Sequence, residues 1–143
     1  MICTLQSVIE QKEIKDMVSN SYGNGLVNEL VNSYHYLALS STEPQKDGTG
    51  VTEPSGNGYA RVQLGSSYFP NASNCSVSNN NEIHFNEATA AWDGSYQYAC
   101  IYTSKTGGTL QAWGKLQNAI TVAANTVPLI RVGQFTISIK DSE

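Results

Sequence analysis

The feature that most constrains the fold of this chain is a change of hydrophobic period near Ser33. From there onward, apolar and polar residues alternate in short runs that Gly, Asn and Pro separate. A period of two predicts strands, because successive side chains of a strand point to opposite faces. We predict strands at 34–40, 58–64, 82–86, 96–103, 109–116, 119–123, 127–130 and 132–140. About eight short strands without intervening helices predict an all-β fold, an antiparallel β-sandwich of the immunoglobulin-like or jelly-roll type.

Turn-forming residues mark the connections between these strands. The segment 44–58 is rich in Gly and Pro, and the segment 65–81 is rich in Asn, so both are predicted to be long loops. Thr106-Gly107-Gly108-Thr109 predicts a hairpin, because two glycines can adopt the positive φ angles of a tight turn.

The N-terminal region has a different, helical pattern. Within 4–18, the residues Leu5, Val8, Ile9, Met17 and Val18 can share one side of a helix, with charged residues between them. The Asn- and Gly-rich stretch 20–25 is predicted to end this helix, and 26–31 is predicted to form a second short helical piece. We therefore expect a partly helical N-terminal arm at 1–25 and a β-sandwich domain at 26–143.

Charge is sparse in this chain. Asp, Glu, Lys and Arg make up 14% of the residues, compared with about 25% in average soluble domains. The net charge is −4, and the eight basic residues are scattered along the sequence. Nucleic-acid binding needs clustered cations to displace counterions from phosphates, so the composition argues against a nucleic-acid partner. A surface rich in neutral polar residues favours a packed assembly or an exposed fibre.

Three further classes of protein find no support in the sequence. No apolar run approaches the roughly 20 residues of a membrane span. The first residues lack a basic start and an uninterrupted apolar stretch, so we expect synthesis in a cytoplasm without a signal peptide. Cys3, Cys75 and Cys100 lie far apart, which argues against a disulfide framework and against a zinc site. We expect three reduced thiols, with Cys100 as a core residue.

Alternation also predicts which side chains are buried. The residues predicted to face the core are Ala60, Val62, Leu64, Leu110, Ala112, Leu116, Phe135, Ile137 and Ile139. Tyr59, Arg61 and Trp113 fall on the opposite faces of their strands. In 96–103 one face carries Tyr96, Tyr98, Cys100 and Tyr102, and the other carries Gln97, Ala99, Ile101 and Thr103. Alternation alone does not decide which of these two faces belongs to the core.

Several aromatic residues are thus expected away from the main core. Exposed aromatic patches mark contact surfaces, and Tyr, Trp and Arg are enriched at interface hot spots. Aromatic rings can also form a platform that stacks on sugars. The candidate interface or glycan-contact residues are Trp92, Trp113, Tyr59, Arg61, Tyr96 and Tyr98. The alternative is that loops or the N-terminal helix cover these rings and that they pack structurally.

No pattern in the sequence indicates catalysis. His35 and His84 lie outside any metal-binding motif, and a nucleophile elbow, a P-loop and a dinucleotide fingerprint before a helix are all missing. Glu82, Glu87 and Asp93 could pair for glycoside hydrolysis only if the fold brings them together. We therefore predict a protein that is not an enzyme, with no catalytic, cofactor-binding or metal-binding residues.

A series of short motifs, taken together in order, resembles a known family. The motifs are Tyr36-Leu37-Ala38-Leu39-Ser40, Glu43-Pro44, Gly48-Thr49-Gly50, Gly58-Tyr59-Ala60-Arg61, Ile83-His84-Phe85, Ala88-Thr89-Ala90, Trp92, Ile101-Tyr102, Thr106-Gly107-Gly108-Thr109-Leu110, Ala112-Trp113-Gly114 and Phe135-Thr136-Ile137-Ser138-Ile139. In this order they are similar to small bacteriophage virion proteins often labelled tail-fibre or minor structural proteins. The resemblance runs from Leu26 to Lys140. The chain departs from the family pattern in about 24 additional N-terminal residues and in Trp92-Asp93-Gly94-Ser95.

The resemblance implies a non-enzymatic protein on the exterior of a phage particle. It would serve as a capsid decoration or cement protein, or as part of the tail or its fibres. Its expected partners are copies of itself in a symmetric oligomer, with a trimer as our choice, and the major capsid or tail proteins. A carbohydrate-binding, receptor-recognising module is the alternative. The resemblance supplies no catalytic residues, and it suggests turn, anchoring and close-packing roles for Gly58, Arg61, Gly107, Gly108 and Gly114.

Overall fold

A computed structural model describes residues 19–138. Its first element is the helix α1, Asn20–Leu30, which begins after Ser19. The Ser19 side chain accepts a hydrogen bond from the backbone N–H of Tyr22, which is the geometry of an N-cap. The helix predicted over 4–18 lies outside the described residues.

Residues 20–25, which were predicted to separate two helical pieces, are themselves helical. A single helix runs through Gly23, Asn24 and Gly25, because tertiary contacts stabilise it against its poor intrinsic propensity. Val27 is completely buried, and the Asn24 side chain accepts the backbone N–H of Cys75 at 2.8 Å. The division at residue 25 stays a prediction, and α1 extends across it.

The described residues after α1 are organised in antiparallel sheets. The strands are β1 Tyr36–Ser40, β2 Val62–Gln63, β3 Ser76–Ser78, β4 Ile83–His84, β5 Ser95–Tyr102, β6 Leu110–Thr121, β7 Leu129–Ile130 and β8 Thr136–Ser138. One sheet has four strands in the order β2-β1-β5-β6, while β3 pairs with β8 and β4 pairs with β7. The fold is therefore all-β with one short helix, and the two-sheet sandwich stays a prediction.

Several strand bounds differ from the predicted ones. Most residues of the segments 109–116 and 119–123 form one long strand, β6 Leu110–Thr121, because its pairing with β5 continues past a register shift. Only Val62 and Gln63 of the segment 58–64 pair with β1. The predicted loop 65–81 contains β3, where Val77 is buried between two half-buried serines. Of the predicted strand 132–140, only Thr136–Ser138 form a strand, β8, and Ile139 and Lys140 lie outside the described residues.

The four-stranded sheet has apolar residues on both faces. One face contributes Leu37, Leu39, Ala99 and Ile101 to the main core, where each is at most 1% exposed. The opposite face carries a second, smaller cluster. Its buried members are Ala38, Cys100 and Tyr102, and its partly buried members are Val51, Leu110 and Trp113. The predicted burial of Cys100 is confirmed, although it lies in the smaller cluster.

Two register shifts in the β5–β6 ladder bear on which face of the sheet the predicted residues occupy. Tyr102 pairs with Leu110 and Ile101 pairs with Ala112, so Gln111 is an extra residue on β6. An extra residue reverses the alternation, and Leu110 therefore joins the second cluster instead of facing inward with Ala112. Tyr96 lies beyond a second register shift, between Tyr96 and Tyr98, and belongs to the main core. The predicted burial of Ala112, Leu116, Leu64 and Phe135 is confirmed.

Candidate functional site

Three of the six candidate contact residues pack against one another. The Trp92 ring lies edge-on to Tyr59 at 5.4 Å and to Tyr96 at 6.0 Å between centroids. Trp92 is 5% exposed and Tyr96 is 2% exposed, so neither has appreciable surface for a partner or a glycan. The Trp92 indole N–H donates to the Asn57 carbonyl at 3.2 Å. Trp92 and Tyr96 are therefore packing residues. This agrees with the alternative stated for these rings, that they pack structurally and do not form a contact surface.

Arg61 connects three separate parts of the chain. Its Nε and Nη2 donate to the two carboxylate oxygens of Glu53 at 3.0 and 2.8 Å. Its Nη1 donates to the carbonyls of Ser104 and Gly107 at 2.9 and 2.7 Å. The guanidinium also lies 3.8 Å from the centre of the Tyr102 ring, a cation–π contact. The predicted outward position is wrong, because the side chain is only 8% exposed, whereas the suggested anchoring role agrees with these bonds.

Tyr59 completes this network from the side of the main core. Its hydroxyl donates to Glu53 at 2.5 Å and accepts the backbone N–H of Leu39 at 3.3 Å. The expectation that Tyr59 faces outward is wrong, because its half-buried ring packs against the main core. Sequence reasoning missed Glu53 because it lies in a Gly- and Pro-rich loop, where no periodicity indicates which side chains meet.

The protonation states of this network follow from its geometry. Burial acts to raise the pKa of Glu53, but the hydrogen bonds from Arg61 and Tyr59 and the charge of Arg61 outweigh it and lower that pKa. Burial, together with the bond to Glu53, raises the pKa of the Tyr59 hydroxyl. At neutral pH the network therefore contains a carboxylate, a guanidinium and a neutral phenol.

A groove of about 310 Å³ opens beside this network. Its lining residues are Glu53, Pro54, Tyr59, Ala60, Arg61, Lys105, Thr106 and Gly107. Two candidate contact residues, Tyr59 and Arg61, thus lie at the same groove. The far wall is the connection between β5 and β6, in which Gly107 and Gly108 have φ angles of 64° and 75°. The positive φ angles predicted for the glycine pair are confirmed, although the connection is longer than a two-residue turn.

Trp113 and Tyr98 do not line the groove, and Trp113 packs against the second cluster. Trp113 pairs with Cys100 across the β5–β6 ladder, and Tyr98 pairs with Lys115. Both aromatic residues are half-buried, so they keep some surface for contact. Cys100 beneath them is completely buried, and burial, with a contribution from the Glu53 charge, raises the pKa of its thiol to about 12.

Most of the chain matches the model of one protein family. The family model of the Podophage GP4 fiber I protein gp80 matches residues 18–138. The chain belongs to this family. The match covers most of the chain and confirms the resemblance to a phage tail-fibre or structural protein family. No curated protein matches the chain.

Membership of the fiber I family makes the chain a virion component. The family is one of structural fibre proteins. Its matched region begins just before the Ser19 cap of α1 and ends with β8, so the family pattern and the described fold coincide.

Two of the three acidic residues considered for a hydrolytic pair have local partners in this fiber I chain. Glu82 lies 3.2 Å from the His84 imidazole, and Asp93 accepts the Tyr96 hydroxyl at 3.3 Å. Between residues 19 and 138 there is no cluster of three or more His, Cys, Asp or Glu side chains suited to a metal ion.

None of the helices in the described part of the chain has the length and apolarity to cross a bilayer.

Proposed function

We propose that this protein is a non-enzymatic building block on the exterior of a phage particle, within a tail fibre or tail appendage. The observation that carries the proposal is the fiber I family match across residues 18–138. The family description favours the tail over the capsid, which was the other placement compatible with the sequence. Synthesis in the host cytoplasm is part of the same proposal.

The chemistry of the groove supports a role other than catalysis. Glu53 is engaged by both Arg61 and Tyr59, and its lowered pKa makes it a weak base. The raised pKa of Tyr59 makes that hydroxyl a poor acid. General acid–base catalysis works best when the pKa of the group lies near the operating pH. The pKa values of Glu53 and Tyr59 are both shifted away from neutral pH.

We further propose that the chain assembles as a symmetric oligomer, a trimer, and attaches to other virion proteins through its N-terminal residues. Tyr22 is 62% exposed and Leu26 is 38% exposed, and they lie one helical turn apart on α1. Exposed apolar side chains in one row support a contact surface beside the point where residues 1–18 join the helix.

Truncation tests the attachment, and α1 determines where the cut must fall. Deleting residues 1–24 would remove the Ser19 cap, the first helical turn and the Asn24 bond to Cys75, so loss of attachment could reflect unfolding. Deleting only 1–18 keeps all of these. We expect this shorter deletion to leave the thermal unfolding transition in place and to abolish incorporation into particles.

Two results would contradict the proposal. Full occupancy of the truncated protein on particles would refute attachment through the N-terminal residues. Cryo-electron microscopy that placed the chain over the whole capsid lattice, and not at the tail, would refute the fibre placement and favour decoration.

A carbohydrate-binding, receptor-recognising module is the second candidate function. The observation that favours it is the groove at Tyr59 and Arg61, two residues already expected to contact a partner. A glycan array without a single hit would count against this candidate. Hits would support it, and the binding site would then have to be located within the domain.

A further inference from the structure

We propose that the groove between the Glu53–Arg61 pair and the β5–β6 connection binds a saccharide and prefers one that carries a carboxylate. The inference deepens the second candidate function, and it rests on the proposed exterior placement, where the groove meets the host surface. Its volume of about 310 Å³ is at the lower end of small-ligand sites, about 300–1,000 Å³. Such a size suits one sugar residue rather than a long chain.

The first argument is the hydrogen-bonding capacity that remains in the ion pair. A guanidinium has five N–H donors, and the bonds to Glu53, Ser104 and Gly107 occupy four of them. The unused N–H belongs to Nη2. On Glu53, Oε1 accepts from both Tyr59 and Arg61, whereas Oε2 accepts only from Arg61.

These two unused positions lie on atoms 2.8 Å apart, Nη2 of Arg61 and Oε2 of Glu53. They present one donor and one acceptor side by side. A hydroxyl group both donates and accepts, so a single sugar hydroxyl can satisfy both positions at once. A simple anion would satisfy the donor and be repelled by the carboxylate, which is why the pair favours a polyol.

The second argument is the apolar part of the groove. Pro54, Ala60 and the half-buried ring of Tyr59 line it beside the ion pair. The Tyr59 ring is fixed from behind by Trp92 and by Phe85, at 5.4 and 6.2 Å between ring centroids. A sugar ring has apolar C–H surface as well as hydroxyls, so a rigid apolar floor next to a polar pair matches both of its features.

The third argument concerns net charge and selects the kind of saccharide. Within the groove Glu53 and Arg61 neutralise each other, which leaves the charge of Lys105 on the opposite wall. Lys105 is exposed and forms no ion pair with any residue between 19 and 138. A carboxylate on the sugar would pair with this lysine, while its hydroxyls contact the Glu53–Arg61 pair.

The walls are fixed before any ligand binds. Arg61 holds the β5–β6 connection through the carbonyls of Ser104 and Gly107, so the far wall is tied to the near one. A Cβ atom on Gly108 would lie 2.8 Å from the Cβ of Ser104, which shows how closely this connection folds. A pre-formed site loses little conformational freedom on binding, and this favours recognition of a small ligand.

The test is a titration of the full chain followed by amide NMR, with galactose, galacturonate and acetate as probes. We expect the amides of Ala60, Thr106 and Gly107 to shift with both sugars, with dissociation constants of about 1 mM or weaker. Galacturonate should bind up to about fivefold more tightly than galactose, which is the size of one exposed ion pair. Acetate alone should leave these amides in place.

Matched variants assign the preference to Lys105. Lys105→Gln should abolish the preference for galacturonate and leave galactose binding unchanged. Lys46→Gln removes an exposed lysine outside the groove and should leave both affinities as they are. Both lysines are exposed, so neither variant is expected to perturb folding.

Three outcomes would overturn the proposal. One is that no groove amide shifts at about 10 mM sugar. Another is that acetate shifts the groove as strongly as galacturonate while galactose does not, since this would indicate an anion site. The third is that shifts occur around Trp113 and Tyr98 and not in the groove. A negative titration leaves the truncation and particle-localisation results untouched, so failure of the groove and failure of the virion placement are distinguishable.

Discussion

The two faces of the four-stranded sheet are stabilised in different ways. On one face Leu37, Leu39, Ala99 and Ile101 pack into the main core without charged groups. On the other face the buried cluster is small, and the Arg61 guanidinium lies over its Tyr102 ring. The first face is held by burial of apolar area, whereas the second is held largely by directional hydrogen bonds.

This difference explains why the groove lies where it does. Apolar packing stabilises a fold but does not determine the position of a loop that has few apolar residues. A bidentate ion pair with carbonyl acceptors defines direction and distance, so Arg61 can position Glu53 and the β5–β6 connection relative to each other. The face with the weaker core is therefore the face with the better-defined polar surface.

Removing a side chain from the main core should have the largest effect. We expect Leu39→Ala to lower the free energy of unfolding by about 4 kcal/mol, because Leu39 is completely buried and leaves a cavity. Leu26→Ala is the matched control, since Leu26 is 38% exposed, and it should cost under about 1 kcal/mol. Urea denaturation measures both. Equal costs would refute the assignment of this face as the main core.

Removing Arg61 should have the next largest effect. We expect Arg61→Met to cost about 3 kcal/mol, because it leaves Glu53 and two carbonyls without their donors. Arg131→Met, at an exposed arginine, should cost under about 0.5 kcal/mol.

A double-mutant cycle sharpens the comparison between the two faces. If Arg61 acts through Glu53, then Arg61→Met combined with Glu53→Gln should cost less than the sum of the single variants. Hydrogen exchange should accelerate at the amides of Thr103 and Thr109, which are hydrogen-bonded across the base of the β5–β6 connection, but not at Leu37 or Ile101. Strict additivity, or acceleration on both faces alike, would contradict the separation of the faces.

Acidification should have the smallest effect and should act on the second face. The pKa of Glu53 is lower in the folded protein than its ordinary value of 4.5, so the unfolded chain binds more protons at acidic pH. The stability that this carboxylate contributes is complete above 4.5 and is lost as the pH falls through the folded value. We expect the urea midpoint to fall less steeply below about pH 4.5 in Glu53→Gln than in the unaltered protein.

Asp47→Asn provides the control for that titration. Hydrogen bonds from Thr49 lower the pKa of Asp47, which is fully exposed and lies outside the Arg61 network. A variant without this carboxylate should keep the Glu53 part of the acid response. If the Glu53→Gln and unaltered proteins lost stability in parallel, the network would not be the acid-sensitive part of the fold.

Local patterns in the sequence predicted a large part of this fold. Alternation correctly identified Ala112, Leu116 and Phe135 as buried positions. The Gly107-Gly108 pair identified a connection because positive φ angles are a backbone property of glycine. The ordered motifs from Tyr36 onward identified the family, which the match over 18–138 confirms.

The errors arose where a long-range contact overrides a local pattern. Asn24 and Gly25 are weak helix formers, yet α1 includes them because Asn24 bonds to Cys75, 51 residues away. Leu110 and Tyr96 lie on other faces than simple alternation assigns to them. A register shift depends on pairing with the partner strand, so the apolar period of one strand does not reveal it. Arg61 was expected to face outward because its acceptors, Ser104 and Gly107, lie more than 40 residues away.

The sequence by itself determined the all-β character, the family and some of the buried apolar positions, because these depend on periodicity and on residue types close together in the chain. Only the tertiary structure decided that Trp92 and Tyr96 are packing residues and that Tyr59, Glu53 and Arg61 form one network. The physical reason is that hydrogen bonds and ring contacts act over a few ångströms in space. Which side chains come that close depends on how distant segments are brought together, and local periodicity carries no record of it.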